Sequence, residues 1–397
     1  MNSQPWYRTT TRWRQTNLVE IDPARYDDAF LEKFSMKKTL IALAALGAMA
    51  GVAHAQSTVT LYGVADAYVG QVTTKTQVGA AAETRLSQNV VNGSGLSSSR
   101  WGLRGAEDLG GGLSAVFTLE GAFDISTGAV ATIAPQGNTL FGRQAFVGLK
   151  GGFGTVSLGR HTTAYDTLRG ITNNIYNSPT FATTASVWGV GVQDYQVRAS
   201  NSVAYTSPDF AGISGAVVYG LGENKTATTD AENSASLHIK YANGPLLVGY
   251  AHQREKQVAG GNFFGTSTGV PAPVTTVTDT RKYNSLGASY NFGVANLTGG
   301  YNTAKSNTRK DKEYQLGVSV PFGAAALAAG YSRAKSEGAA GLAALKGTGF
   351  TLLGTYNLSK RTTAYAAVIN TKRESGTTAA FTTTKVLTSA VGIRHTF

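Results

Sequence analysis

The chain has 397 residues, a formal net charge of +12 at pH 7 and no cysteine, which excludes disulfides, thiolate metal sites and thiol nucleophiles. Outside one N-terminal stretch it has no run of about 20 apolar residues, so no helix is expected to span a membrane. Its 48 glycines, abundant threonine and serine and few prolines are typical of many strands joined by tight turns.

The first 55 residues resemble a leader rather than a folded domain. Met36 opens a basic segment with Lys37 and Lys38, an apolar run covers residues 39–52, and an A-x-A cleavage signal follows at 53–55. This order predicts a secretory signal peptide at residues 36–55 and a mature chain that begins at Gln56. Residues 1–35 are then an upstream extension from a mis-assigned start. The alternative, a cytoplasmic pre-domain, is weak because 35 mostly polar residues cannot build a core.

The mature chain stays basic after the leader is removed. Residues 1–55 contain seven Lys/Arg and five Asp/Glu, which leaves 28 basic and 18 acidic residues and a formal charge of +10. Such a charge is compatible with binding to nucleic acid or an anionic membrane, with a solvated basic surface, or with a basic internal path for anions.

Alternating segments of strand length follow one another along the mature chain. Tight turns join some of them, at 108–111, 151–153, 207–210, 243–245, 291–293, 321–323 and 357–361, and longer loops join others, at 224–234, 257–280 and 375–384. Sixteen strands are predicted, at 58–71, 97–107, 113–125, 140–150, 155–165, 198–207, 212–221, 235–241, 246–254, 281–292, 295–306, 313–321, 324–335, 347–357, 362–372 and 385–397.

Short turns at one end and long loops at the other are typical of an outer-membrane barrel. The strands also alternate: Leu246, Val248 and Tyr250 share one face, and Gly249 and Ala251 share the other. A closed barrel is required in lipid because an open sheet edge leaves backbone groups unpaired. We therefore predict an all-β fold, a 16-stranded antiparallel transmembrane β-barrel at residues 56–397.

One long segment does not follow the strand pattern. Residues 166–197 show no clear strand or helix periodicity, yet they carry Ile171, Ile175, Phe181 and Trp188. This is too apolar for a solvated tail, so the segment is expected to pack against something.

Several motifs together resemble the general porins of Gram-negative bacteria, in particular the trimeric type from β-proteobacteria. They are VTLYG at 59–63, SRWGLRGAEDLG at 99–110, GRQAFVGL at 142–149, LGR at 158–160, NSVAYTSPDFAG at 201–212 and VGIRHTF at 391–397. The resemblance spans residues 56–397. It implies a homotrimer in the outer membrane that lets small hydrophilic solutes and ions diffuse passively, with residues 166–197 as the third long loop, folded inward as a constriction loop.

The resemblance also implies partners for assembly. Ile393, His395 and Phe397 point one way along the last strand and resemble the C-terminal signal that the barrel-assembly machinery recognises. Outer-membrane lipid and lipopolysaccharide are expected to surround the barrel. No cofactor and no nucleic-acid partner are expected.

Fixed charges at the narrowest point set the selectivity of a pore. The resemblance places Arg100, Arg143 and Arg198 on one wall of the constriction, and Arg104 shares the face of Arg100 nearer the periplasmic turn. Phe146, taken to lie on the face opposite Arg143, is expected to point outward. The alternative is that these arginines are wall residues paired with acidic side chains, namely Glu107, Glu120 or Asp124.

The constriction loop has carboxylates only at its ends, Asp166 and Asp194, and none between Thr167 and Gln193. A cluster of arginines without opposing carboxylates predicts anion preference. Asp194 could pair with Arg198 and weaken this effect. Arg160 has the parity of the outward-facing Leu158, and the resemblance would place it near the subunit interface.

Other functions stay open at this point. An outer-membrane enzyme is disfavoured because none of the five histidines lies beside a recognisable serine motif or carboxylates at metal-ligand spacing. A substrate-specific channel for phosphate or organic acids is compatible with the arginine cluster. An adhesin or receptor could be built from exposed loops such as residues 257–280.

Overall fold

The computed structural model of the chain describes residues 58–131, 139–228, 230–257, 278–376 and 381–397. All of these belong to one unit, Gln56–Phe397. The upstream extension and the signal peptide predicted for residues 1–55 lie outside the described residues, as does most of the loop at 257–280.

Seventeen strand segments form one antiparallel sheet that closes on itself. They are β1 (Thr58–Val78), β2 (Thr84–Gly93), β3 (Arg100–Gly110), β4 (Leu113–Ala122), β5 (Gln144–Gly151), β6 (Gly154–Thr162), β7 (Arg198–Thr206), β8 (Ile213–Leu221), β9 (Asn233–Asn243), β10 (Leu246–Gln257), β11 (Asp279–Asn291), β12 (Asn296–Lys305), β13 (Arg309–Phe322), β14 (Ala325–Gly338), β15 (Leu345–Asn357), β16 (Thr362–Gly376) and β17 (Phe381–Thr396).

These segments fill sixteen positions in the barrel. β2 and β3 both pair with β1, one along its second half and one along its first, so together they occupy a single position. β17 pairs with β1 from Val64↔Thr396 to Val78↔Thr382 and closes the sheet. The predicted 16-stranded antiparallel barrel is therefore confirmed.

Strand alternation separates an outer apolar face from a polar or tightly packed inner face. In β14, Leu327 and Tyr331 are 60% and 46% exposed, whereas Ala328, Ser332 and Ala334 are buried. The same pattern holds in β10, where Tyr250 is exposed and Ala251 is fully buried. An outward apolar band of this kind is what contact with lipid requires.

The strand limits differ from the predicted ones mainly near the long-loop end. β1 runs to Val78 instead of Gln71, and β2 was not predicted. Both stretches are rich in polar residues and pair with each other, so they lack the apolar alternation on which the prediction depended. Tyr165 belongs to a helix and not to the preceding strand.

The segment between β6 and β7 contains the helices of the described chain, which the sequence did not indicate. They are α1 (Ala164–Thr172), a 3-10 turn (Ile175–Asn177) and α2 (Thr183–Val187). Thr163 begins α1 because its side chain accepts a hydrogen bond from the Asp166 amide at 3.3 Å. No helix among the described residues has the length and apolar character needed to cross a membrane.

This segment is folded inward and packs on the inner wall. Leu168 of α1 and Phe181 are fully buried. Leu168 occupies the space above Gly249, where a Cβ atom would lie 2.4 Å from its Cδ1 atom. Glycine on the wall therefore allows α1 to approach the β10 backbone closely, as predicted for an inward third long loop.

Candidate pore constriction

An open cavity of about 520 Å³ lies between the barrel wall and the inward segment. Its lining includes Arg100, Arg143 and Arg198 from the wall, and Asp166 and Asp194 from the segment. Five of the six residues predicted for the constriction therefore lie around one cavity. The rest of the lining is largely polar and comes from residues 96–98, 173–179 and 184–185, together with Arg169, Tyr195 and Val197.

Glu120 of β4 holds two of the wall arginines. Its Oε1 atom lies 2.5 Å from Nε of Arg143, and its Oε2 atom lies 3.5 Å from Nε of Arg100. The Tyr62 hydroxyl donates to Oε2 at 3.0 Å. Arg100 and Arg143 thus line the cavity and are also paired with Glu120; their role in the pore constriction stays a prediction.

The other two acidic candidates do not pair with these arginines. Glu107 is exposed, and Asp124 accepts hydrogen bonds from Ser126. Within the described residues, no ion pair links either carboxylate to the wall arginines.

Arg198 begins β7 and is tied to the neighbouring wall. Its Nε atom donates to the carbonyl oxygen of Arg143 at 2.8 Å. This bond places the side chains of the two arginines next to each other. Arg143 precedes the inward segment in the sequence, and Arg198 follows it.

The expected outward orientation of Phe146 is wrong. The exposed apolar residues of β5 are Val147 and Leu149, and Phe146 stacks on the His161 ring with the ring centroids 4.9 Å apart. Arg143 lies before the first residue of β5, so strand parity does not determine its direction.

Arg104 lies away from the cavity. It is exposed, pairs with Thr60 in the β1–β3 register, and stacks over the Tyr62 ring at 5.1 Å. Four residues along a strand from Arg100 correspond to roughly 13 Å. The structure does not bring Arg104 to the constriction.

Arg169 is the arginine of the cavity lining that the sequence reasoning missed. It is buried, and its Nη1 atom lies 3.2 Å from Oδ1 of Asp194. Its guanidinium also lies over the Trp188 and Tyr195 rings, at 4.5 and 4.6 Å. Asp194 therefore pairs with Arg169 and not with Arg198, because the return of the segment brings residue 194 back against α1.

Asp166 is held by a tyrosine. The Tyr195 hydroxyl donates to Oδ1 of Asp166 at 2.5 Å. Burial raises the pKa of Tyr195 well above its ordinary value, so the hydroxyl keeps its proton. The cavity lining thus has four arginines and two aspartates, with Glu120 beside them, which leaves a formal charge of +4 − 3 = +1.

Carboxylates of the wall fasten the returning arm of the segment. Glu313 accepts from the Gly189 amide at 2.7 Å, and Glu255 accepts from the Gln196 amide at 2.6 Å. Asp311 accepts from the amides of residues 191 and 192 at 3.0 and 2.9 Å. These side chains are buried, so the arm is held by hydrogen bonds that are shielded from water.

The tip of the segment is fastened to the break between β2 and β3. Thr180 donates to the carbonyl of Ser94 at 2.8 Å, and Ser178 donates to that of Gly95 at 2.5 Å. Asp66, fully buried on β1, accepts from the amides of residues 95, 96 and 97 at 3.1, 2.8 and 2.7 Å. The Tyr365 hydroxyl donates to the same carboxylate at 2.6 Å.

Arg160 is buried in the wall and is not the exposed outward side chain that alternation predicts. Its Nε donates to the carbonyl of Gly142 at 2.7 Å, and its Nη1 to the hydroxyl of Ser200 at 2.6 Å. The β6–β7 register shifts between Gly159 and His161, so parity counting fails at this point. Its location at the subunit interface stays a prediction.

The C-terminal residues close the barrel. Gly63 and Phe397 exchange two backbone hydrogen bonds, at 3.0 and 3.1 Å. Ile393, His395 and Phe397 are all exposed and share one face of β17, as alternation predicts. Recognition of this face by the assembly machinery stays a prediction.

A serine–histidine contact occurs in the wall but lacks the features of a nucleophilic site. His161 is bonded on one ring nitrogen to Ser157 and on the other to Ser202, each at 2.8 Å. All three side chains are buried, and no described carboxylate bonds to the ring. The contact ties neighbouring strands together.

Comparisons with known proteins agree with this geometry. A family model described as Gram-negative porin matches residues 42–376. Outer membrane porin protein 32 of Delftia acidovorans is 37% identical over 273 residues, covering 66% of this chain and 68% of that protein. Major outer membrane protein P.IB of Neisseria meningitidis serogroup B is 36% identical over 230 residues, covering 56% of this chain and 61% of that protein.

Solved structures show the same fold. An anion-selective porin from Comamonas acidovorans superposes with a TM-score of 0.67 at 30% identity, covering 86% of this chain and all of that one. The trimer form of OmpT from Vibrio cholerae gives a TM-score of 0.59 at 17% identity, covering 86% of this chain and 99% of that one, and shows the fold alone. With a closed sixteen-position barrel, an inward loop and a charged constriction, the chain belongs to the Gram-negative porins of the outer membrane.

Proposed function

We propose that this porin lets small hydrophilic anions through more readily than cations of similar size. The observation that carries the proposal is the set of four arginines around one cavity, Arg100, Arg143, Arg169 and Arg198. Three of them belong to the wall, and the loop lacks carboxylates between Thr167 and Gln193. A fixed positive excess in a narrow path lowers the energy of a passing anion.

The related structure from Comamonas acidovorans is described as anion-selective, which supports the same preference here. The carboxylates at the site, Glu120, Asp166 and Asp194, reduce the positive excess without cancelling it, because three of them stand against four arginines. The preference is therefore expected to be moderate.

The zero-current potential across a planar bilayer in a KCl gradient tests the proposal directly. The sign of this potential should show that chloride crosses the pore faster than potassium. A potential of the opposite sign would contradict the proposal. Current that saturates with one solute would instead favour the substrate-specific channel for phosphate or organic acids.

We also propose that three copies assemble into the working unit. The trimer form of the OmpT structure supports this through its shared fold. Sedimentation of the refolded mature chain in detergent, corrected for bound detergent, should give three times the mass of one chain. A stable single-chain mass would contradict it.

A further inference from the structure

The middle of the inward segment, residues 173–185, carries no charge. It contains no lysine, arginine, aspartate or glutamate. Tyr176, Pro179 and Ala185 of this stretch are exposed and line the cavity of about 520 Å³, to which the wall contributes its three arginines. The cavity is therefore bounded by cations of the wall and by an uncharged, partly apolar surface of the segment.

The backbone of this stretch turns in an unusual way at Tyr176. The three residues of the 3-10 turn, Ile175, Tyr176 and Asn177, all have positive φ, at 46°, 55° and 54°. Residues other than glycine rarely adopt this left-handed conformation, and the surroundings must hold them in it. Ile175 is buried over Gly330 of β14, and Asn177 accepts a hydrogen bond from the Asn173 side chain at 2.8 Å. Both neighbours are thus anchored, while the Tyr176 side chain is left outside the packed layer.

The ring of Tyr176 is free to contact a solute. The residue is 51% exposed, and its side chain makes no hydrogen bond or ring contact with any described residue. By contrast, Tyr195 of the same lining is buried and packs edge-on against Tyr165, with the ring centroids 4.6 Å apart. Tyr176 also lines a second cavity of about 170 Å³ between the segment and strands β12 to β14. Its ring therefore lies at the boundary of the two cavities.

The guanidinium groups of Arg143 and Arg198 present free donors to the first cavity. In each of them the Nε atom is already bonded, to Oε1 of Glu120 at 2.5 Å and to the carbonyl oxygen of Arg143 at 2.8 Å, respectively. No hydrogen bond joins their terminal Nη atoms to a described residue. Two Nη–H groups side by side match the two oxygens of a carboxylate. Each arginine can therefore bind a carboxylate end-on and keep its contact with the wall.

We propose that aromatic carboxylates are preferred solutes of this channel, with the carboxylate on Arg143 and Arg198 and the ring against Tyr176. This preference rests on the anion preference proposed above and adds the chemical class of the solute. An aromatic ring gains from contact with an exposed tyrosine, which chloride and acetate cannot use. A cavity of about 520 Å³ has room for a single-ring acid. Binding is weak, because a solute that is held tightly does not leave a channel.

Block of the chloride current through single channels in planar bilayers tests the proposal, since a bound anion delays the chloride ions behind it. Benzoate should halve the chloride conductance at a concentration about threefold to tenfold lower than acetate, which has the carboxylate without the ring. Benzamide, which has the ring without the charge, should block far less than benzoate. Equal block by benzoate and acetate would overturn the role of the ring, and equal block by benzamide and benzoate would overturn that of the arginines.

Two variants at Tyr176 separate the ring from the backbone turn. Tyr176→Asn removes the ring but suits the left-handed conformation, which asparagine tolerates. It should raise the half-blocking concentration of benzoate about threefold to tenfold. Tyr176→Phe keeps the ring and should behave as the wild type does. Acetate block equal to that of the wild type in both variants verifies that the channels are intact, and an unchanged benzoate block in Tyr176→Asn would overturn the site.

The zero-current potential in a KCl gradient, measured on the same channels, keeps this proposal apart from the one on which it rests. A potential that shows chloride preference, together with equal block by benzoate and acetate, would overturn the aromatic site alone. A potential that shows potassium preference would overturn the anion preference and the aromatic site with it.

Discussion

Arg198 joins the two sides of the constriction, since it lines the cavity and bonds to the backbone of Arg143. Replacing it with glutamine removes one positive charge while an amide group remains to bond that carbonyl. A unit charge a few ångströms from a passing ion changes its energy by about 1 kcal/mol at the dielectric constant of bulk water, which fills the pore. In Arg198→Gln the chloride-to-potassium permeability ratio should fall roughly two- to fivefold, with a larger effect at low salt.

Arg104 provides the control for this measurement. It carries the same charge on the inner face but lies outside the constriction cavity. Arg104→Gln should leave the zero-current potential close to that of the wild type. A shift as large as that of Arg198→Gln would mean that the charge of the whole lumen, and not the constriction, determines selectivity.

Replacing Glu120 should change the chloride-to-potassium permeability ratio in the opposite direction. It neutralises part of the charge of Arg100 and Arg143, so Glu120→Gln should increase the permeability ratio by roughly the same factor. Glu107→Gln, at an exposed position, is the matched control and should change little. A lower anion preference in Glu120→Gln would show that Glu120 positions the arginines more than it neutralises them.

At the scale of elements, one buried carboxylate, Asp66, holds the strand break to which the tip of the inward loop is bonded. Asp66→Ala removes the acceptor of three backbone amides and of the Tyr365 hydroxyl. Buried donors left without a partner cost about 1–3 kcal/mol each, so the loss should exceed ~3 kcal/mol. Urea unfolding of the barrel in lipid vesicles measures this loss in the free energy of unfolding. The single-channel current should also become noisier, because the loop tip is held less firmly.

Asp124→Ala serves as the comparison, because that aspartate is only half-buried and its side chain bonds to Ser126. It should keep the wild-type unfolding midpoint and a quiet current. If Asp66→Ala also behaves as the wild type, the tip is held by the hydroxyl contacts of Ser178 and Thr180 alone.

Alternation in sequence predicted all sixteen barrel positions because each strand has one face in lipid and one toward the lumen. The same rule missed β2, where polar residues occupy both faces. It also missed α1 and α2, because nine and five residues are too few to show a helical period in the sequence.

The constriction was predicted in part. Three arginines could be identified on the wall because the surrounding motifs resemble known porins, and Glu120 was among the possible partners. The Arg169–Asp194 pair could not, since it depends on how the loop turns back over 25 residues.

At the scale of the whole molecule, the last residue completes the barrel. Removing Phe397 eliminates its two backbone hydrogen bonds with Gly63 and the terminal aromatic side chain of the predicted assembly signal. We expect the truncated chain to reach the outer membrane in much lower amount, measured as protease-resistant, heat-modifiable protein in membrane fractions.

Phe397→Tyr is the control and should assemble nearly as well, because it keeps an aromatic ring and the backbone bonds. If the truncated chain assembles normally, β17 closes the barrel without the help of Phe397.

The seam between β1 and β17 also constrains the order of folding. It joins strands that are far apart in the sequence, since β1 begins at Thr58 and β17 at Phe381, and the Asp66–Tyr365 bond beside it spans 299 residues. Contacts of such high sequence separation form late and slowly. Asp66, which holds the strand break that the loop tip contacts, thus gains its last partner only when β16 arrives. We therefore expect the loop to enter the lumen before the barrel closes and to become rigid in that final step.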